Sequence, residues 1–399
     1  MKAVYYYDEP PDSYTKSIFL AGPSPRTPDI QSWRPEALKT LEAKGFDGIV
    51  FVPEPKPGDN SQYDWSKAPQ WEHRMLDMAD IVLFWVPRDI STLPNGESKL
   101  PGFTTNVEFG HWVSSGKAVL GHPPRAPHTD YLRFMADKFH VPTMFTLEDT
   151  INKSLELIGN GAFRSGGERE IPLQLWETHT FQAWYKSHIH AGNRLDGAKV
   201  KWIFKIGQNK DKIFYWVIYP NIYIASEKRN KTNEVVISRL DISAVVLYKR
   251  QQDILNSEVV LIKEFRSPAR TKDGFIWESP GGSSHSSVDS LQVIVDETFE
   301  EVGLKIERPR FKNVGSRQMA GTMSAHHGVL YAVELTDKEL EWLKDQKDIP
   351  HGADYPDNPT GERVYTNVVK LRDVLQNNLT DWSNLGMILS VLLQEEGKR

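Results

Sequence analysis

The chain contains no cysteine, which excludes disulfides, thiolate metal sites and a cysteine nucleophile. Any metal ion would be held by carboxylates, carbonyls or imidazole, a donor set that favours hard cations such as Mg²⁺ or Mn²⁺. No apolar run approaches the ~18 residues of a membrane-spanning helix. The opening MKAVYYYDEPPDSY has no apolar segment of signal-peptide length, so the expectation is a cytoplasmic protein with no membrane partner. Neither sign of charge is in excess. Lys+Arg 48 against Asp+Glu 53 leave a net charge of -5, which argues against duplex nucleic acid as a partner. No period of about 20–50 residues repeats, and no P-loop, GxSxG, HExxH or GxGxxG motif occurs.

What is present is a globular composition, 39% hydrophobic and 25% charged over 399 residues. That length accommodates two domains at roughly 100–200 residues each. SIFLAG (17–22), GIVFVP (48–53), IVLFWVP (81–87) and AVLGHP (118–123) read as buried strands. Helical patterns alternate with them at 32–46, 71–80 and 104–117, the last capped at Thr105 or Asn106. Alternation of this kind predicts a doubly wound parallel sheet over residues 1–158, with ligands beyond the carboxyl ends of its strands. The glycine-rich stretch 159–172 and the helix after it predict a linker and connecting helix over 159–190. Strand-rich runs, one long amphipathic helix over 288–301 and closing helices predict an α+β domain over 191–399.

The segment PGGSSHSSVDSLQVIVDETFEEVGL (280–304) places Glu297, Glu300 and Glu301 on one helical face. Val288, Leu291, Val295, Phe299 and Val302 are free to point inward. Three such carboxylates repel one another unless a cation or basic group neutralises them; otherwise they form a solvated acidic face. The spacing resembles the Nudix box, with Gly282, Glu297, Glu300, Glu301, Gly303 and Leu304 in register. Val288 stands where that family has its first glutamate, and Asp296 where it has arginine. Flanking segments 258–271, 275–282 and 361–371 resemble ADP-ribose and nucleotide-sugar pyrophosphatases. The resemblance implies Mg²⁺ or Mn²⁺ on Glu297, Glu300, Glu301 and Glu278. It further implies substrate contacts from Arg266 or Arg270 and catalytic roles for Glu300, Glu301 and Glu362.

In the first half, LAGPSPR (20–26), Asp80 ahead of a strand and TTNVEFG (104–110) together resemble the nucleoside 2-deoxyribosyltransferase family. The resemblance covers about residues 15–145 and implies Glu108 as the nucleophile. It implies Asp80 as the group that meets the base or moves a proton. Read as a first-turn helix residue, Glu108 would be kept ionised by the helix dipole. Gly22, Arg26 and the Thr104 and Thr105 N–H groups are candidates to bind substrate, Arg26 and the two N–H groups facing a 5′-phosphate. Trp85 and Phe103 are candidates to stack on a base. The family's usual aspartate six residues before the nucleophile is Gly102 here, and its tyrosine on the first strand is Ile18. No cofactor is required at this site. The whole-chain expectation is a bifunctional nucleotide enzyme that breaks or transfers an N-glycosidic bond and hydrolyses a pyrophosphate in an ADP-ribose-like compound. The alternative is a nucleosidase or NADase controlled by an inert Nudix-like nucleotide sensor. Nucleosides and nucleotides are the expected partners, and both families imply a homo-oligomer.

Overall fold

The computed structural model describes residues 1–25, 30–59, 64, 66–207, 212–283, 289–352, 361 and 363–394. The chain divides into two units, Met1–Val236 and Ile237–Arg399. In the first unit β1 (Lys2–Tyr5), β2 (Ser17–Ala21), α1 (Arg34–Ala43), β3 (Ile49–Val52), α2 (Ala68–Met78) and β4 (Ile81–Trp85) follow in order. They continue into α3 (Phe103–Trp112), β5 (Ala118–Gly121), α4 (Asp130–Lys138), β6 (Thr143–Met144) and α5 (Leu147–Ile158). The sheet order is β1-β3-β2-β4-β5-β6, and every pairing is parallel. Because successive strand residues face opposite sides, each strand feeds two cores. Phe19, Phe51, Phe84 and Leu120 pack under α2, α3 and α4. Leu20, Val50, Leu83 and Val119 pack under α1 and α5. A sheet covered on both faces explains why its strands are apolar throughout. The order reverses between β2 and β4, which opens a crevice beyond their carboxyl ends.

The stretch expected to be a linker is instead packed into this unit. Arg164–Ser165 pairs antiparallel with Ser13–Tyr14, and a 3₁₀ turn, Gly166–Glu170, is closed by a capping box between Ser165 and Glu168. The glycines serve geometry rather than flexibility: a Cβ on Gly167 would lie 2.1 Å from the Asp196 carbonyl carbon. Next comes α6 (His179–His190). Its Phe181 is fully buried, with the rings of Trp176, Trp184 and Trp216 at centroid distances of 5.6, 5.4 and 5.7 Å. Trp216 belongs to a long hairpin, β7 (Arg194–Ile206) with β8 (Lys212–Ile224). The hairpin therefore groups with the first unit, and the division falls near residue 236 rather than at 190.

The second unit contains β9 (Ile242–Lys249), β10 (Glu258–Phe265), β11 (Phe275–Glu278), α7 (Ser290–Val302), β12 (Lys312–Ala320) and β13 (Ser324–Glu334). After these come α8 (Asp337–Asp345), β14 (Val364–Lys370), α9 (Leu371–Gln376) and α10 (Trp382–Gln394). Within this unit the order is β12-β13-β9-β10-β14, with β9 parallel to β13 and its other side antiparallel to β10. Ile294 and Val302 of α7 pack on Val245, Leu247 and Val260. On the opposite face Ile388, Val391 and Leu392 of α10 pack on Val246 and Leu261. The inward face of α7 is Ile294, Thr298, Glu301 and Val302. Phe299, expected to face inward, is 57% exposed, because burying positions 294, 298, 301 and 302 turns 299 outward on a 3.6-residue period. Among the described residues no helix is long and apolar enough to cross a membrane.

Candidate active site

At the switch point the backbone is tightly constrained. Gly22, just past β2, has φ +152°, and a Cβ there would lie 2.1 Å from the Trp85 carbonyl oxygen at the end of β4. Only glycine lets the two strand ends approach this closely. Trp85 itself is part of the core, so it is not a stacking platform, and Phe103 is exposed. Arg34, in the first turn of α1, is only 1% exposed. Its guanidinium donates to the carbonyls of Leu20 (3.0 Å) and Gly22 (2.7 Å), and to Ser24 Oγ (3.0 Å). It also pairs with Glu54 at 2.6 Å, whose carboxylate accepts from Ser32 Oγ at 2.8 Å. Arg34 thus stitches the loop after β2 to the loop after β3.

Glu108 sits over these strand ends on α3. The helix starts at Gly102, whose φ of +64° makes it a left-handed cap with no side-chain hydrogen bond. That start places Glu108 in the second turn, not the first, and overturns the expectation that the dipole holds it ionised. Burial first, and then the charge of Glu72, push its carboxyl up to about 8 against the opposing influence of Arg34. Glu72, on α2, accepts a hydrogen bond from the Tyr6 hydroxyl. Tyr6 follows β1, its amide donating to the Glu54 carbonyl at 3.2 Å and its ring lying edge-on to Trp71 at 5.4 Å. Glu72 of α2 and Arg34 of α1 thus both act electrostatically on Glu108 of α3, and Tyr6, just after β1, bonds to Glu72. Of the residues singled out in the sequence, Gly22 and Glu108 come together here. Thr104 is exposed and Thr105 buried, both in the first turn of α3. Arg26 lies outside the described residues.

Asp80 is not brought to this place. It precedes β4, so it lies at the amino end of the sheet, while the crevice opens at the carboxyl end. It is 4% exposed, and its carboxylate accepts two hydrogen bonds from Arg164, both at 2.7 Å. It also accepts from the Ser17 amide (2.9 Å), Ser17 Oγ (3.0 Å) and the Leu173 amide (3.0 Å). A carboxylate this fully engaged holds β2, β4 and the 164–173 segment together and has no capacity left for a substrate.

In the second unit, the Glu301 carboxylate is buried and accepts the Gly281 amide at 2.8 Å. Glu297 Oε1 lies 1.8 Å from where a Cβ on Gly282 would be, so the loop and helix are closely fitted. Glu278 pairs with Arg266 at 2.8 Å, and Arg266 also reaches Glu264 at 2.7 Å. Glu300 and Arg270 are exposed, and Asp296 accepts from Gln292 at 2.8 Å. Glu362 and Val288 lie outside the described residues. Among the described residues, no three His, Asp or Glu side chains come together as a metal site. Of the expected set, Glu301 holds a backbone amide and Glu278 is ion-paired with Arg266.

Tyr6, Arg34, Glu54 and Glu72 are not evident in the sequence. The run VYYY and the pair Trp33–Arg34 at a helix start are the only signals pointing to them. Residues 15–126 match the model of a family described as nucleoside 2-deoxyribosyltransferase like. That match takes in β2 to β5 with Gly22, Arg34, Glu72 and Glu108, and stops short of the second unit. No curated protein matches the chain.

Proposed function

We propose that the N-terminal unit breaks or transfers the N-glycosidic bond of a nucleoside or nucleotide, with Glu108 as the carboxylate that meets the anomeric carbon. The supporting observation is that Glu108 is desolvated under the charges of Glu72 and of Arg34, the arginine that also binds the Gly22 carbonyl just past β2. The family match makes a nucleoside-processing enzyme the natural frame. Two interacting carboxylates hold one proton between them more easily than none, as in glycosidases. Before attack Glu108 must lose its proton to solvent, the charge of Glu72 raising the pH at which it does so, and the departing base is protonated by water. An ionised Glu108 oxygen then bonds to the anomeric carbon while the C–N bond breaks, its electron pair leaving with the base. Water or a second base completes hydrolysis or transfer.

This reading sets a pH profile. kcat/KM for base release should rise with pH through about 8, where free Glu108 ionises. Glu72→Gln removes the neighbouring negative charge and should move that limb to lower pH, whatever it does to the maximum. Chromatography of liberated base between about pH 5.5 and 9.5 reads both limbs. A limb that stays in place in Glu72→Gln would rule out the coupled pair.

For the C-terminal unit we propose nucleotide sensing rather than hydrolysis, because Glu301 is committed to Gly281 and Glu278 to Arg266. Mg²⁺ or Mn²⁺ should elicit no phosphate-bond cleavage from ADP-ribose or nucleoside diphosphate derivatives. Metal-dependent cleavage that disappears in Glu300→Gln and Glu301→Gln would instead establish the pyrophosphohydrolase activity that the resemblance implies.

A further inference from the structure

The hairpin of β7 and β8 has two unlike faces, because side chains alternate along each strand. On one face Trp216, Ile218 and Ile222 of β8 are buried, Trp216 against Phe181. Tyr215, Val217 and Tyr219 belong to the other face, where Phe204 stands opposite Tyr215 and Trp202 opposite Val217. This outer face is aromatic although it is open to solvent. Trp202 is 51% exposed and Phe204 41%. The Trp202 ring lies nearly parallel to those of Phe204 (5.5 Å between centroids, 28°) and Tyr215 (6.5 Å, 23°). A contiguous exposed apolar patch of this kind marks a surface that something covers. The charges around it are of one sign. Lys199 stands opposite Tyr219, Lys201 sits at the bulge before Trp202, and Lys212 begins β8. All three lysines are exposed, and among the described residues no carboxylate lies within ion-pair distance of them. In a chain of net charge -5, the only acid in either strand is Asp196, which is bonded to Arg194 and Asn230. The partner that fits presents flat rings to the aromatics and negative charge to the lysines. A second copy of the chain does not, since it would set lysine against lysine.

We propose that the outer face of the β7–β8 hairpin binds single-stranded nucleic acid, with bases stacking on Trp202, Phe204 and Tyr219 and phosphates meeting Lys199, Lys201 and Lys212. Every base has a π face, so binding of this kind tolerates sequence. A duplex keeps its bases stacked on one another and offers the rings nothing. From Tyr215 to Tyr219 the strand extends about 13 Å at ~3.3 Å per residue, the length of a few nucleotides. No residue of the Glu108 site takes part, so the hairpin is tested apart from any turnover.

Fluorescence anisotropy of a labelled oligothymidylate, titrated with the full chain, measures the binding. It should be saturable in the wild type and weaken with salt, log affinity falling against log salt with a slope of about 2 for three phosphates neutralised at ~0.7 each. Trp202→Ala should weaken it about 10-fold or more, and Trp202→Phe should largely restore it. Lys199→Gln should reduce the slope by about 0.7. Both side chains are exposed, so melting temperatures should stay at the wild-type value; should Trp202→Ala not fold, the slope in Lys199→Gln decides. Binding should persist in Glu108→Gln, and a duplex of the same length should compete poorly. Absence of binding, a duplex bound as tightly, loss of binding in Glu108→Gln, or binding indifferent to Trp202→Ala and Lys199→Gln each overturns the proposal. So does a dimer that sedimentation shows falling apart in Trp202→Ala, or capture of phosphatidylserine vesicles through Trp202 in place of the oligonucleotide, because either result gives the face a different occupant.

Discussion

Replacing Glu108 by glutamine is expected to abolish base release, with a loss on the order of 10³-fold or more, while the protein stays folded. Glutamine keeps the shape and hydrogen-bonding reach of a protonated glutamic acid, so packing of α3, through Phe109, against Phe84 should survive. It cannot ionise, and so it cannot bond to an anomeric carbon. The same variant has a second, independent consequence. In the folded protein Glu108 ionises near 8, well above its ordinary value of 4.5. Between those values the folded state holds a proton that the unfolded chain releases, so folding gains stability from this group at low pH. That contribution is fully present below about 4.5 and lost as pH rises through about 8. Glu108→Gln never carries the charge and escapes the loss. Melting temperatures of the two proteins should lie close together near pH 5 and separate in favour of the variant above about pH 8. Retained base release would sink the role of Glu108. A variant that melts below the wild type at high pH would sink the half-buried, high-pKa environment.

The architecture around this residue was largely legible. Strands such as IVLFW carry a legible signature, since a sheet covered on both faces makes its strands apolar throughout. Glu108 was legible as a candidate through the pattern TTNVEFG. Its electrostatic state was not, because the start of α3 depends on Gly102 adopting a left-handed conformation, and that moved Glu108 one turn deeper. Arg34 and Glu72 read as ordinary charged residues of helix surfaces. Arg34 is buried only because three acceptors of the loop after β2 converge on it, a fact of tertiary geometry. The glycines of 159–167 signalled a linker because composition does not distinguish a flexible glycine from one demanded by close backbone approach. Asp80 is the instructive case. A residue immediately ahead of a parallel strand must lie at its amino end, opposite the ligand crevice, and that much could be read from the sequence alone.

The placement of Asp80 leads to the largest stability effect expected in the molecule. Asp80→Asn leaves the Arg164 guanidinium, itself fully buried, without its counter-charge. Breaking a buried pair from one side typically costs about 3–5 kcal/mol, and loss of the bonds to Ser17 and Leu173 adds to it. Arg164→Met should be comparably destabilising, since it strands the carboxylate instead. Combining Asp80→Asn with Arg164→Met removes both charges and should be markedly less harmful than the sum of the single changes. Urea midpoints of the four proteins measure this coupling. Kinetics separate the structural role from a catalytic one. Molecules of Asp80→Asn that remain folded should keep the wild-type KM and most of kcat, because the carboxylate faces away from the crevice. A variant with an unchanged midpoint but no turnover would place Asp80 at the reacting bond after all. A lowered midpoint with intact chemistry would confine catalysis to the carboxyl end of the sheet.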